Sequence, residues 1–285
     1  MTRYADCHWP SRDGLKLHYR DYPGREDRPA VVCLPGLTRN ARDFADLAER
    51  LAGDWRVLCP EMRGRGDSAY ARDAATYNPA QYVEDLGELL DAIGIARCVV
   101  IGTSLGGLMA LVMATTMRER LAGVVLNDIG PVLEASGFDR IRGYVGQARN
   151  FPTWMHAARG LAETQAPSYP DYTITDWLGM AKRVMTLSSN GRIVFDYDMR
   201  IAEPLQAMSA SDLPDLWPAV DALAGLPVLL LRGALSDILG ADTLAGMQAR
   251  LPDAEALTVP RVGHAPTLAE PEVAAALDRL LARVA

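Results

Sequence analysis

Val99-Val100-Ile101-Gly102-Thr103-Ser104-Leu105-Gly106-Gly107-Leu108-Met109-Ala110 is the stretch from which the fold can be read. A short β-branched run stops at a glycine, reaches a serine, passes two more glycines and continues with strong helix formers to Met117. The pattern predicts a strand, a very sharp turn and a helix, with Ser104 at the apex. Gly-x-Ser-x-Gly has a mechanical reason: the serine occupies a strained turn, so the residues two before and two after must be small enough for strand and helix to pass. A hydroxyl held there projects clear of the backbone. The helix after it opens with unpaired N–H groups that favour developing negative charge. Five residues alone would also suit any glycine-rich turn between a strand and a helix, so the context matters.

Outward from this turn, strands and helices alternate. Residues 4–22 read as a hairpin around Ser11-Arg12-Asp13-Gly14, since Asp-Gly is a strong hairpin signal, and this pair is expected at a sheet edge. Leu15 to Arg20 alternates, which puts His18 on a wet, polar face. Ala30 to Leu34 is a continuous apolar run of the kind found in strands covered on both faces. Further strands are expected at Arg56–Pro60, Cys98–Ile101, Ala122–Asn127, Pro227–Arg232 and Ala256–Val259. Helices are expected at Ala41–Leu51, from Pro79 to Gly94, at Ala241–Leu251 and at Pro271–Ala285. Such alternation with right-handed crossovers means an α/β fold, a mostly parallel β-sheet flanked by helices. Residues 132–220 break the rhythm with tryptophans, tyrosines, prolines and helical patterns. They read as an inserted helical cap on a core formed by 1–131 and 221–285.

Composition narrows the function. With 285 residues and 49% hydrophobic content the chain can bury a large core. A net charge of −7 argues against a polyanion partner, because nucleic-acid binders concentrate basic surface. No apolar run approaches the roughly 20 residues that span a bilayer. Met1 to Cys7 has no apolar signal-peptide region, so a cytoplasmic location is the expectation. Cys33, Cys59 and Cys98 sit in apolar strand-like runs as buried thiols, and together with Cys7 they match no zinc-ligand spacing. No metal or cofactor is expected. The loop Arg63-Gly64-Arg65-Gly66-Asp67-Ser68 lacks the third glycine of a dinucleotide fingerprint.

In an open parallel sheet, ligands bind beyond the carboxyl ends of the strands, and Leu37, Ser104, Asp237 and His264 all follow strands. A serine hydroxyl needs a base. Of the four histidines, His8 and His18 lie in the hairpin and His156 in the cap, which leaves His264 after the last strand. The imidazole needs an acceptor to fix its tautomer. Asp237 is the leading candidate, and Asp128, which follows the strand after the serine turn, is its rival.

The order Ser104, Asp237, His264, with the serine in Gly102-Thr103-Ser104-Leu105-Gly106, resembles the α/β-hydrolase fold superfamily over essentially the whole chain. Arg63-Gly64-Arg65-Gly66-Asp67-Ser68 is similar to that family's Arg-Gly-x-Gly-x-Ser segment, and Pro35-Gly36-Leu37 to its His-Gly-x loop. The resemblance implies backbone oxyanion donors at Leu37 and Leu105 and acyl transfer through Ser104. There are two departures: Pro35 replaces the usual histidine, and Glu61 stands where many members carry aspartate.

The cap would wall the pocket with Trp154, Met155, Trp177, Met180, Met185 and Tyr197. Arg140, Arg142, Arg159 and Arg183 also lie in the cap, where one of them could meet a substrate carboxylate. The expected substrate is a small to medium apolar carboxylic ester, a lactone included. One alternative is a carbon–carbon hydrolase acting on ring-fission products, with Asn40 polarising a dienol. The other is a non-catalytic ligand-binding member of the fold.

Overall fold

The computed structural model describes residues 4–208 and 214–285. Residues 1–3 of the expected core and 209–213 of the expected cap therefore lie outside the described residues. Eight strands form the main sheet: β1 (Ala5–Pro10), β2 (Lys16–Tyr22), β3 (Ala30–Leu34), β4 (Val57–Glu61), β5 (Cys98–Thr103), β6 (Leu121–Asn127), β10 (Val228–Gly233) and β11 (Glu255–Val259). Their spatial order is β1-β2-β4-β3-β5-β6-β10-β11. The β1–β2 hairpin lies antiparallel at one edge, β2 pairs antiparallel with β4, and every later pairing is parallel.

The central strands are apolar on both sides because both faces are covered. Val31, Val99, Ile101, Val125, Leu229 and Leu231 pack towards α1 (Ala45–Leu51) and α10 (Pro271–Ala282). Val32, Val100, Leu126 and Leu230 pack on the other face, towards α2 (Pro79–Ala92) and α3 (Leu105–Thr116). Local signals set the helix ends. Asn78 caps α2 through Gln81 N–H, and Pro79 occupies the first turn, where its missing N–H costs nothing. Cys33, Cys59 and Cys98 are buried free thiols.

Between β6 and β10 lie α4 (Ala135–Tyr144), β7 (Asn150–Phe151), α5 (Trp154–Gln165), α6 (Ile174–Val184), β8 (Met185–Leu187), β9 (Ile193–Phe195), α7 (Ala202–Gln206) and α8 (Trp217–Asp221). This segment is not purely helical. β7, β9 and β8 form a three-stranded antiparallel sheet, with strands too short to leave a period in the sequence. Its own core joins Ala157, Leu161, Tyr169, Trp177, Met180 and Val184. The expected boundary at residue 220 falls inside α8, which packs on α3 and on α9 (Ala241–Arg250).

His18 departs from its expected place. It is 1% exposed rather than on a wet face. Register sets His18 opposite Glu61 on β4, and β1 covers the other side, bringing Asp6 within reach. The imidazole bonds Glu61 at 2.9 Å through Nδ1 and Asp6 at 3.0 Å through Nε2.

Candidate active site

The turn after β5 holds Ser104 at φ 52°, ψ −115°, an uncommon conformation for a residue with a side chain. The crossing is tight enough that a Cβ on Gly102 would strike the carbonyl of Gly106, and one on Gly106 the carbonyl of Leu34. Strain of this kind costs about 1–3 kcal/mol and is held in place by the surrounding packing. Ser104 N–H is anchored on Asn127 O at 3.0 Å, and Ser104 O accepts from Gly107 and Leu108.

His264 follows β11, and its Nε2 lies 2.8 Å from Ser104 Oγ. Its Nδ1 lies 2.7 Å from Oδ2 of Asp128, the residue immediately after β6. Asp128 is 0% exposed and is satisfied from three directions. Oδ1 accepts Gly233 N–H at 2.8 Å, and Oδ2 accepts Ser236 Oγ–H at 2.6 Å besides the imidazole. Asn127 fastens the histidine loop, its Nδ2 donating to Pro266 O at 2.9 Å and to Thr103 Oγ1 at 3.0 Å.

Asp237, the leading candidate from sequence, is not the residue against the imidazole. Its carboxylate takes a bidentate pair from Arg140 of α4, at 2.5 and 2.7 Å. Burial works against its charge, but the Arg140 hydrogen bonds outweigh that and hold the carboxyl below its ordinary value. Chain order could not separate the two aspartates, since both follow parallel strands that are neighbours in the sheet. Ser236 carried a signal only in retrospect: its hydroxyl turns the loop after β10 by accepting the N–H groups of Ile238 and Leu239, at 3.1 Å each.

Leu37 lies in the loop after β3, and Leu105 opens α3. Neither N–H donates in a turn, loop or cap hydrogen bond among the described residues, and the first N–H groups of a helix have no intrahelical acceptor. The glycine-rich loop after β4 braces this region. Arg65 is 1% exposed and donates from Nε to Leu37 O at 2.9 Å and from Nη1 to Tyr82 Oη at 2.9 Å. Glu61 accepts Ala41 N–H at 3.0 Å and Asp67 N–H at 2.7 Å, so it holds the turn that follows the Leu37 loop. The loop that carries Leu37, in which Pro35 stands, is thus braced by Arg65 and Glu61.

His18, Glu61 and Asp67 are close enough to share a cation. Glu61, however, already accepts two backbone N–H groups and the imidazole, which describes a polar brace rather than an open ligand set.

A cavity of about 880 Å³ opens over Ser104 and His264. Leu37 lines it from the core, and Tyr144, Met180 and Phe195 from the intervening segment. Of the expected pocket residues, Met180 and Tyr197 line it, whereas Trp154 and Trp177 do not. Trp177 is buried among Tyr169 and Tyr172, with ring centroids 6.1 and 5.0 Å away, and Trp154 packs on the same cluster. Met185 is buried in that cluster too, and Met155 faces outward. Asn40 is occupied at both ends of its amide: Oδ1 accepts Arg42 N–H at 3.0 Å, and Nδ2 donates to Arg183 O at 3.1 Å. It caps a turn and holds α6, so it is not free for a substrate.

The fold and this site define the class. Residues 31–277 match the model of the alpha/beta hydrolase family, and the chain belongs to that family. It is 34% identical over 277 residues to a 3-hydroxybutyrate-oligomer hydrolase of Cupriavidus necator, covering 94% of this chain and 93% of the relative. A crystal structure of an alpha/beta hydrolase from Novosphingobium aromaticivorans matches with 60% identity and a TM-score of 0.96, covering 100% of both chains. A solved E-2-(acetamidomethylene)succinate hydrolase shares the fold at 22% identity and a TM-score of 0.82, covering 98% of this chain and 99% of that one. No helix among the described residues is long and apolar enough to cross a membrane.

Proposed function

We propose that this hydrolase cleaves carboxylic esters through an acyl-enzyme on Ser104, with short esters of aliphatic hydroxy acids, lactones included, as its substrate class. The single observation that carries the reading is the hydrogen-bonded line Ser104 Oγ, His264 Nε2, His264 Nδ1, Asp128 Oδ2, with links of 2.8 and 2.7 Å. Ser104 Oγ attacks the carbonyl carbon as His264 takes its proton, and Asp128 steadies the imidazolium. The oxyanion is received by the N–H groups of Leu37 and Leu105. The carbon–oxygen bond then breaks, and His264 returns the proton to the departing alkoxide. Water attacks the acyl-enzyme by the same route, releasing the acid and restoring Ser104. Residues 132–220 act as a cap whose Met180 and Tyr197 shape the apolar wall.

The substrate class is supported by the likeness to the 3-hydroxybutyrate-oligomer hydrolase, which spans nearly all of both chains. The carbon–carbon alternative loses its polarising amide, because Asn40 is engaged at both ends. A purely binding role would leave the complete Ser104–His264–Asp128 line without a use. The test is hydrolysis of p-nitrophenyl butyrate. The Ser104→Ala variant is expected to lose about 10⁴-fold or more in kcat, and unchanged turnover would refute a serine mechanism.

A further inference from the structure

We propose that Arg39 is a specificity-determining residue that seats a free substrate carboxylate next to Ser104, so that the preferred substrates are acidic esters, in particular hydroxyacyl oligomers ending in a carboxylate. This rests on the ester-hydrolase reading above. Arg39 lines the cavity together with Ser104 and His264. Its Cγ and Ser104 Cβ flank one point, the place a Cβ on Gly36 would take, at 3.2 and 3.8 Å. The guanidinium therefore begins its reach beside the nucleophile.

Asp43 orients it from one edge only. Nε and Nη2 donate to the two Asp43 oxygens at 2.5 and 2.8 Å. Nη1 has no protein acceptor among the described residues. The side chain stays 29% exposed, and the opening it meets is the cavity. An arginine held by one fork face still has a second edge for a planar anion, and arginine–carboxylate pairs are directional as well as strong. The other cavity cations are placed differently. Arg183 has its Nη1 beside Gly179, on the preceding turn of α6, Arg50 pairs with Asp278 at 2.7 Å, and Arg149 pairs with Glu163 at 3.6 Å in a largely exposed contact. Burial disfavours the charge on Arg39, but Asp43 outweighs that and keeps the guanidinium protonated at every working pH.

The chemistry fits the leaving side of a 3-hydroxyacyl ester. When Ser104 takes the acyl group and His264 protonates the alkoxide, the released fragment is a hydroxy acid. Its carboxylate is joined to the former ester oxygen by a short aliphatic spacer. A cation near Ser104 can hold that carboxylate while the ester carbonyl faces Leu37 and Leu105.

The experiment compares the dimer of 3-hydroxybutyrate as its free acid with the same dimer closed as a terminal primary amide, following cleavage of the internal ester by chromatography. The wild type is expected to favour the acid by about 10- to 100-fold in kcat/KM, the range of a charge-assisted hydrogen bond. Arg39→Gln should bring the ratio close to one, mainly through KM for the acid. Arg39→Lys, which keeps the charge but not the fork, should retain part of the preference and serves if the glutamine variant does not fold. A wild-type ratio near one, or a ratio unchanged by Arg39→Gln, would overturn the assignment of Arg39 while leaving the ester-hydrolase reading standing. Failure of the wild type to cleave either dimer or p-nitrophenyl butyrate would overturn both.

Discussion

Asp128 is a fully buried carboxylate that receives a backbone N–H, a hydroxyl and an imidazole. A buried ion needs this degree of satisfaction, because each unpaired lone pair in a low-dielectric site carries a large penalty. The three donors come from β10, from its following loop and from the loop after β11, so the carboxylate also fixes where those segments meet. Replacing it by asparagine turns an acceptor into a mixed group and allows the wrong imidazole tautomer. We expect Asp128→Asn to lower kcat on p-nitrophenyl butyrate by about 10⁴-fold. Asp237→Asn should cost less than tenfold, since it weakens a half-exposed pair with Arg140. Steady-state rates of the two variants side by side decide between them, and the reverse ranking would return the acid to Asp237. The serine and the histidine could be found from sequence because each sits in a motif or at a strand end of its own. The acid could not, because the distinction between Asp128 and Asp237 lies in which one Arg140 has already engaged.

At the level of elements, the pairing of β2 with β4 explains the clearest misreading. Alternation along Leu15–Arg20 is a local signal and assigns His18 to water. Register with β4 and cover from β1 are long-range facts, and they place Glu61 and Asp6 around the ring. Burial disfavours a charged imidazole, yet the hydrogen bond and charge of Glu61, with Asp6, hold His18 above its ordinary value of 6.5. For Glu61 burial raises the pKa, but His18 and the N–H groups of Asp67 and Ala41 outweigh it and hold the carboxyl below 4.5. A raised imidazole stabilises the fold fully below its unfolded pKa and loses that contribution as pH rises through the folded value. The carboxyl contributes above its unfolded pKa and loses its share as pH falls. The gap in Tm between wild type and His18→Gln should therefore be widest near pH 5.5 and narrow steadily towards pH 9, about the window set by a raised histidine. A gap that widens with pH would contradict a charged His18. Because Glu61 also holds Ala41 N–H, this brace reaches the Leu37 loop through one residue.

Across the whole molecule, the core was legible because each buried parallel strand carries an apolar run, α2 has a cap and α10 an apolar face. The intervening segment was legible only as an interruption. Its strands span two or three residues, and its aromatic residues divide between its own core and the cavity according to α5–α6 packing, which no local pattern encodes. That segment is also fastened to the loops after β10 and β11 rather than resting loosely over them. Ser168 O accepts Gly263 N–H at 2.6 Å. Tyr169 Oη accepts Ala265 N–H at 3.0 Å and donates to Ala265 O at 2.9 Å, so it holds both backbone polar groups of the residue that follows His264. Arg140 ties α4 to the loop after β10. The cavity, the histidine loop and the segment above them thus form one connected unit centred on Ser104. The most direct measurement is the intact mass of the protein quenched during turnover of p-nitrophenyl butyrate, followed by peptide mapping. A single butyryl adduct on Ser104, absent from the Ser104→Ala protein, is the predicted result. Sustained turnover with no adduct on trapping, or an adduct on another residue, would contradict a serine nucleophile at this turn.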